Sequence, residues 1–348
     1  MEDLLAGAVE VRATDIHIEP GESEFRVRMR VDGLLADSEQ LPPARGRQLC
    51  SLIKVRAGMD IALRLKPQDG SMVFVQQQRQ HNVRVSSQPT IGGEKLVLRI
   101  FPPEEINGKG LSALGMCATT AREFSRMLNR RQGLVLVTGP TGCGKTTTLY
   151  AALNLVGRDK LNVMTLEDPV ECRLPGITQT QVNPQGGLGF ASALRGVLRQ
   201  DPDVILVGEI RDSETAAITV RAALSGHLVL ATLHTVDAAS AVARLLDMGC
   251  APYQVAAAVQ GVMAQRLVRC PCRCGMGCRR CLGSGYYGRT GVFELLRVDA
   301  GRRQAILAGG EIAPPPVTLL DDCRRQLELG KTDERQLAML ELSLEDCL

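Results

Sequence analysis

The sequence has no tryptophan and only six phenylalanines and four tyrosines. A protein that grips single-stranded nucleic acid by stacking bases on aromatic rings needs more rings than this. An excess of one charge is also missing. Forty-one Lys and Arg against 38 Asp and Glu leave a net charge of +3, too little to mark a dedicated nucleic-acid binder. No run approaches the roughly 18 apolar residues of a membrane-spanning helix. The chain opens on Met1-Glu2-Asp3, acidic where a secretory leader would be basic. There is no internal repeat and no low-complexity tract. These absences predict a cytoplasmic globular protein with no direct nucleic-acid partner.

What is present is ordinary in bulk and unusual in detail. With 348 residues, 45% hydrophobic and 23% charged, the chain can fill two domains and bury their cores without disulfide staples. Twelve cysteines are many for a reducing compartment, and five of them crowd into Cys270–Cys281. Such crowding points to a metal before it points to disulfides.

The first hundred residues predict small strands and one helix. Asp15-Ile16-His17-Ile18-Glu19 alternates polar and apolar, and Pro20-Gly21 makes a turn. Phe25, Val27, Met29 and Val31 then alternate with Arg26, Arg28 and Arg30, so the arginines share one face. Residues 47–59 predict a helix, and strands follow near Val73–Val75, Val83–Val85 and Leu96–Ile100. The Pro- and Gly-rich tract from Phe101 to Gly110 marks a boundary. Beyond it, the apolar runs Leu134–Val137, Val163–Leu166, Val204–Val207 and Leu228–Leu230 alternate with helical stretches, the pattern of a mainly parallel α/β sheet. The expected organisation is a small α+β domain over 1–103, a linker over 104–118 and a P-loop core over 119–264. A Cys-rich insert and connector over 265–292 and a helical tail over 293–348 complete it.

Gly139-Pro140-Thr141-Gly142-Cys143-Gly144-Lys145-Thr146 satisfies G-x-x-x-x-G-K-[ST] in full, with an apolar strand before it and a helix after it. Glycines let backbone N–H groups wrap phosphates, Lys145 supplies a cation, and Thr146 offers a hydroxyl to Mg²⁺. Thr147 completes the expected ATP-binding set. Hydrolysis also needs a group that orients water. Val204–Val207 runs into Gly208-Glu209, where most P-loop proteins carry Asp then Glu, so Glu209 has to act alone. Glu167 and Asp168 end the neighbouring apolar run, and parallel strands bring such ends to one edge. His227 and His234 bracket the run Leu228–Thr232. A single histidine there is commonly a packing residue, but His234, at a strand end facing the nucleotide, is the candidate γ-phosphate sensor, with His227 a candidate for nucleotide binding. Arg195 and Arg199 stand at i, i+4 on one helix face.

Together these stretches resemble the secretion ATPase superfamily, whose members serve type II secretion, type IV pilus assembly and retraction, and DNA uptake. Thr165–Glu171 resembles its aspartate box. Leu198–Asp203 with Gly208–Asp212 resembles its atypical Walker B, and Gly226-His227 through His234-Thr235 its histidine box. Asp15–Pro20, Arg28–Gly33 and Gly285–Gly291 extend the likeness over nearly the whole chain. The resemblance implies a RecA-like core and a homo-hexamer at the cytoplasmic face of the inner membrane. Its expected partners are a membrane platform protein and, indirectly, pilin-like subunits. It implies that Arg28, Arg195 and Arg199 clamp the γ-phosphate, joined by Arg45 or Arg47, and that Glu167 and Asp168 serve Mg²⁺. It also implies that the cysteine cluster is the metal insert of the assembly branch, which the retraction branch generally lacks.

Three departures stand out. The chain starts at the strand-rich domain, as in the shorter, competence-type members. Cys143 replaces the usual Ser, where an exposed thiol would be open to oxidation or alkylation. The cysteine insert is short: Cys278-x-x-Cys281 is one Zn²⁺ pair, and the other comes from Cys270, Cys272 and Cys274, with Cys270-x-x-x-Cys274 the better spacing. The competing readings are a retraction ATPase of the same fold, a RecA-like motor acting directly on nucleic acid, and a scaffold that binds nucleotide but barely turns it over.

Overall fold

The computed structural model describes residues 1–101, 110–157, 160–183, 186–274 and 277–345. Most of the tract read as a domain boundary, and Gly275-Met276 between the cysteine pairs, lie outside the described residues. Contacts divide the chain into two units, Met1–Glu105 with Arg269–Arg289, and Ile106–Val268 with Thr290–Leu348.

The first unit begins with α1 (Glu2–Glu10), then β1 (Ala13–Pro20), β2 (Phe25–Val31) and β3 (Leu34–Leu41). Helix α2 (Pro43–Arg56) precedes β4 (Gln68–Gln76), β5 (Arg79–Thr90) and β6 (Gly93–Ile100). Its six strands form a sheet in the order β3-β2-β1-β6-β5-β4, antiparallel at every pair. The period of two in β2 holds: Phe25, Val27, Met29 and Val31 are buried with Leu4, Leu5 and Ala8 of α1 and Ile53 of α2. The helix read at 47–59 starts earlier because Pro43 occupies its first turn, where a fixed φ helps and a missing N–H costs nothing. Helix α1 escaped the reading, since its apolar face holds only three buried residues.

The segment Arg269–Arg289, expected as part of a separate insert, groups with this unit. Asp32 anchors it: the Asp32 carboxylate accepts from the Gly288 N–H at 2.8 Å and from Arg12 at 3.1 Å. Arg269 donates to the Asp32 carbonyl at 3.0 Å, and the Arg12 guanidinium lies 3.8 Å from the Tyr287 ring centre.

The second unit contains α3 (Ala118–Leu128), β7 (Gly133–Thr138), α4 (Lys145–Leu155), β8 (Val163–Glu167) and β9 (Thr178–Gln181). It continues with α5 (Phe190–Val197), β10 (Val204–Val207), α6 (Ser213–Leu224), β11 (Leu228–Leu233), α7 (Ala238–Asp247) and α8 (Pro252–Ala258). Two long strands, β12 (Val259–Pro271) and β13 (Tyr286–Arg297), leave and re-enter it, and α9 (Ala300–Ala308), α10 (Leu319–Glu328) and α11 (Glu334–Glu345) end the chain. The seven strands run β13-β12-β7-β11-β10-β8-β9, with β12, β7, β11, β10, β8 and β9 parallel along the row. Strands β7 and β10 are apolar and buried throughout, as a sheet covered on both faces requires. The mixed α/β expectation holds. Among the described residues no helix is long and apolar enough to cross a membrane.

Candidate functional site

Parallel pairing sets Thr138 of β7 opposite Leu233 of β11, and Val207 of β10 opposite Ala231 of β11 and Leu166 of β8. The segments that follow these strands therefore emerge at one edge. They are the glycine-rich loop, His234, Glu209 and Asp168. A Cβ on Gly139 would come 2.5 Å from the Gln265 carbonyl, and one on Gly144 would come 2.9 Å from the Gln265 amide. Both glycines also have positive φ, so side chains are excluded twice over. Gln265 braces the loop, donating to the Cys143 carbonyl at 2.7 Å and accepting from Thr148 at 2.7 Å. Nothing in the sequence signalled that brace. Lys145 is 9% exposed and donates to the carbonyls of Gly139 (2.7 Å) and Pro140 (3.0 Å). Burial lowers its ammonium pKa, opposed by the nearby Glu209 carboxylate. Cys143 corrects an expectation. It is buried, and burial raises its thiol pKa, which protects it from the reagents that attack thiolates.

The loop after β10 explains the missing Walker B aspartate. A Cβ on Gly208 would lie 2.8 Å from the Leu166 carbonyl, while the Gly208 N–H donates to that oxygen at 2.7 Å. Glu209 Oε1 stands 2.6 Å from Arg211 Nη2, and its Oε2 stands 3.6 Å from His234 Nε2. Arg211 Nη1 is 3.9 Å from Asp168 Oδ2. Burial lowers the His234 pKa, with Lys145 adding to the effect, so its imidazole is neutral at pH 7. Glu209 thus faces His234 and reaches Asp168 through Arg211, while Lys145 stays on the loop carbonyls with its charge acting on both Glu209 and His234. Arg211 was missed as a site residue, although its place two residues after Glu209 at a strand end is a legible signal.

Glu167 does something different. It is 4% exposed, and its carboxylate accepts from the Tyr150 hydroxyl, from Thr165 at 2.5 Å and from Gln179 at 3.0 Å. Burial and the adjacent Glu167 charge raise the Tyr150 phenol pKa well above its ordinary value, so Tyr150 stays a donor. Tyr150→Phe should cost about 1–3 kcal/mol, the penalty of under-satisfying a buried carboxylate. The midpoint of urea unfolding reads this, and an unchanged midpoint would show the bond contributes nothing net.

Several expected site residues lie elsewhere. His227 precedes β11, at the opposite edge of the sheet. Six residues of strand, about 20 Å, separate it from His234, and its ring bonds the Ala222 carbonyl at 3.0 Å. A histidine on either side of a strand cannot face the same edge, so His227 is not at the phosphate loop. Arg195 pairs with Glu214, and Arg199 donates to the Arg195 carbonyl at 2.9 Å. In the first unit Arg28 grips Glu19 with two bonds of 2.8 and 2.9 Å. Burial would raise the Glu19 pKa, but Lys95 and Arg28 outweigh it and hold it low.

The cysteine cluster also departs from its expected spacing. The four sulfurs that come together, all within 4.8 Å, belong to Cys272, Cys274, Cys278 and Cys281. Cys270 is replaced by Cys272 because β12 continues through Pro271, which keeps Cys270 in the strand. Cys272 lies just past its end, tied by its N–H to the Gly285 carbonyl at 2.7 Å. Cys272 and Cys278 sulfurs are 3.9 Å apart, and those of Cys274 and Cys281 are 3.7 Å apart. Four thiolates around Zn²⁺ at about 2.3 Å form a tetrahedron with edges of about 3.8 Å, so the donor set fits that ion. The Cys278 N–H donates to the Cys281 sulfur at 3.1 Å and is the first cause that lowers its pKa to about 6.

Residues 1–330 match the family described as type II/IV secretion system protein. The chain is 48% identical over 316 residues to the type II secretion system protein HxcR of Pseudomonas aeruginosa, covering 88% of this chain and 67% of that one. It is 47% identical over 335 residues to type II secretion system protein E of Dickeya dadantii, covering 88% and 66%. It is 44% identical over 326 residues to the type IV pilus assembly ATPase PilB of Thermus thermophilus, covering 85% and 37%. The chain thus spans about two thirds of the two type II relatives and 37% of PilB. Among solved structures, the Legionella pneumophila ATPase DotB superposes with a TM-score of 0.76 at 23% identity, covering 97% of this chain and 94% of that one. The pilus retraction motor PilT, solved with bound ADP, superposes with a TM-score of 0.68 at 24% identity, covering 98% and 96%. These two likenesses establish the fold, and the sequence matches establish the kinship: the chain belongs to the type II/IV secretion system protein family.

Proposed function

We propose that this protein is the ATP-hydrolysing motor of a machine that assembles a pilus or pseudopilus. The observation that carries the reading is Glu209 facing His234 at the sheet edge where the phosphate loop and Lys145 emerge. The N–H groups of Gly139 to Thr146 and the Lys145 ammonium bind the phosphates. The Thr146 hydroxyl, Asp168 and Glu209 would hold Mg²⁺, which would supply positive charge to the phosphate oxygens. Glu209 orients the attacking water and accepts its proton, and the neutral His234 next to it reports the γ-phosphate. Arg28, Arg195 and Arg199 serve as charge clamps on that phosphate in a homo-hexamer. Cys272, Cys274, Cys278 and Cys281 would hold Zn²⁺, which would staple the segment that Asp32 anchors to the first unit.

The partners are an inner-membrane platform protein and, through it, pilin-like subunits, with the motor peripheral to the cytoplasmic face of the membrane. Identities of 44–48% to proteins named for type II secretion and type IV pilus assembly, and the cysteine cluster, favour assembly over retraction. Size-exclusion chromatography with an ATPase assay tests the reading. A hexamer-sized peak with Mg²⁺-dependent turnover indifferent to added DNA is expected. Turnover that requires DNA would move the protein to the nucleic-acid motors, and a nucleotide-binding chain without turnover would make it a scaffold.

A further inference from the structure

Arg211 has no part in the hydrolysis described above, yet its guanidinium lies on the group that must accept the proton. Nη2 is 2.6 Å from Glu209 Oε1. The second oxygen faces His234 Nε2 at 3.6 Å. A water approaching Glu209 therefore competes with a cation for one oxygen and with an imidazole for the other.

The chain around Arg211 is well held and its side chain is not. Asp212 caps α6, accepting from the Thr215 N–H at 2.7 Å, which pins the backbone. The Arg211 side chain is 64% exposed, and its described partners are two carboxylates, Glu209 and Asp168. It can swing out without disturbing any packing. The pair is open to water on its arginine side, with Glu209 13% exposed, and the strongest competitor for a guanidinium at this edge is a phosphoryl group.

We propose that Arg211 restrains the general base: it holds Glu209 in an ion pair that bound triphosphate only partly breaks. The carboxylate is free for water only in the fraction of ATP-bound sites from which Arg211 has swung out, so the pair slows hydrolysis at saturating ATP. This inference rests on the ATPase reading. The restraint limits idle turnover and takes no part in the chemical step, so Arg211 is a positioning residue.

The test is steady-state ATPase of the full chain with Arg211→Gln, Arg211→Lys and Glu209→Gln, singly and with Arg211→Gln and Glu209→Gln combined. Arg211→Gln should raise basal kcat at saturating ATP roughly two- to fivefold, the bias that a weak ion pair can impose. Arg211→Lys should return the rate to near wild type. The ratio of Arg211→Gln to wild type should fall towards one as salt screens the pair. In the Glu209→Gln background the Arg211 change should do nothing. A rate that falls or stays level in Arg211→Gln overturns the proposal, as does a rise that survives without Glu209 or is indifferent to salt. A wild-type chain with no hydrolysis sensitive to Lys145→Ala overturns the ATPase reading itself, whereas hydrolysis insensitive to Arg211 overturns only this restraint.

Discussion

Glu209→Gln should leave ATP binding intact and lower turnover about a hundredfold or more, the usual contribution of a positioned general base. The amide keeps the shape of the side chain and can still face His234, but it accepts no proton from water. The phosphate loop is untouched, because its bonds run through Lys145, Gln265 and the backbone. Lys145→Ala should behave in the opposite sense and weaken binding itself, since the phosphates lose their cation. Fluorescent-nucleotide titration and phosphate release separate the two. Wild-type turnover in Glu209→Gln would remove Glu209 from the chemistry and leave no other described carboxylate in contact with both His234 and Arg211.

Serine at Cys272, Cys274, Cys278 or Cys281 should each reduce bound Zn²⁺ from about one per chain to little, because the lost thiolate leaves three ligands and an open position. Serine at Cys270 should leave the metal in place. The spacing alone favoured Cys270 and made Cys272 the tolerant position, so the two variants separate spacing from structure. Elemental analysis of the purified variants decides it. Zinc retained by Cys272→Ser and lost by Cys270→Ser would restore the spacing argument. The loss should also loosen the segment Arg269–Arg289, which the first unit holds through Asp32 and Arg12. Faster amide exchange across Tyr286–Arg289 would show it.

Much of the site was legible because its chemistry is contiguous. A phosphate loop is eight consecutive residues, and its glycines are demanded by backbone geometry that any chain carrying the motif must meet. The alternation of Phe25 to Val31 likewise fixes a face, since neighbouring side chains on a strand point to opposite sides. Arg28 and its neighbours were therefore placed on one surface correctly. His227 shows the limit of this reasoning. The sequence grouped it with the nucleotide-binding residues beside His234, but the parallel pairing of β11 with β7 puts only the His234 end at the phosphate loop.

By itself the sequence determined the fold class, the phosphate loop, the candidate base Glu209 and the presence of a cysteine cluster, because each depends on residues close together along the chain. The tertiary structure decided which groups meet. Strand register set Glu209 between His234 and Arg211. Packing buried Glu167 against Tyr150 and drew Cys143 out of the reach of solvent. The continuation of β12 through Pro271 exchanged Cys270 for Cys272. Such choices depend on where a strand stops and what lies beside it, and those are set by contacts between segments far apart in sequence.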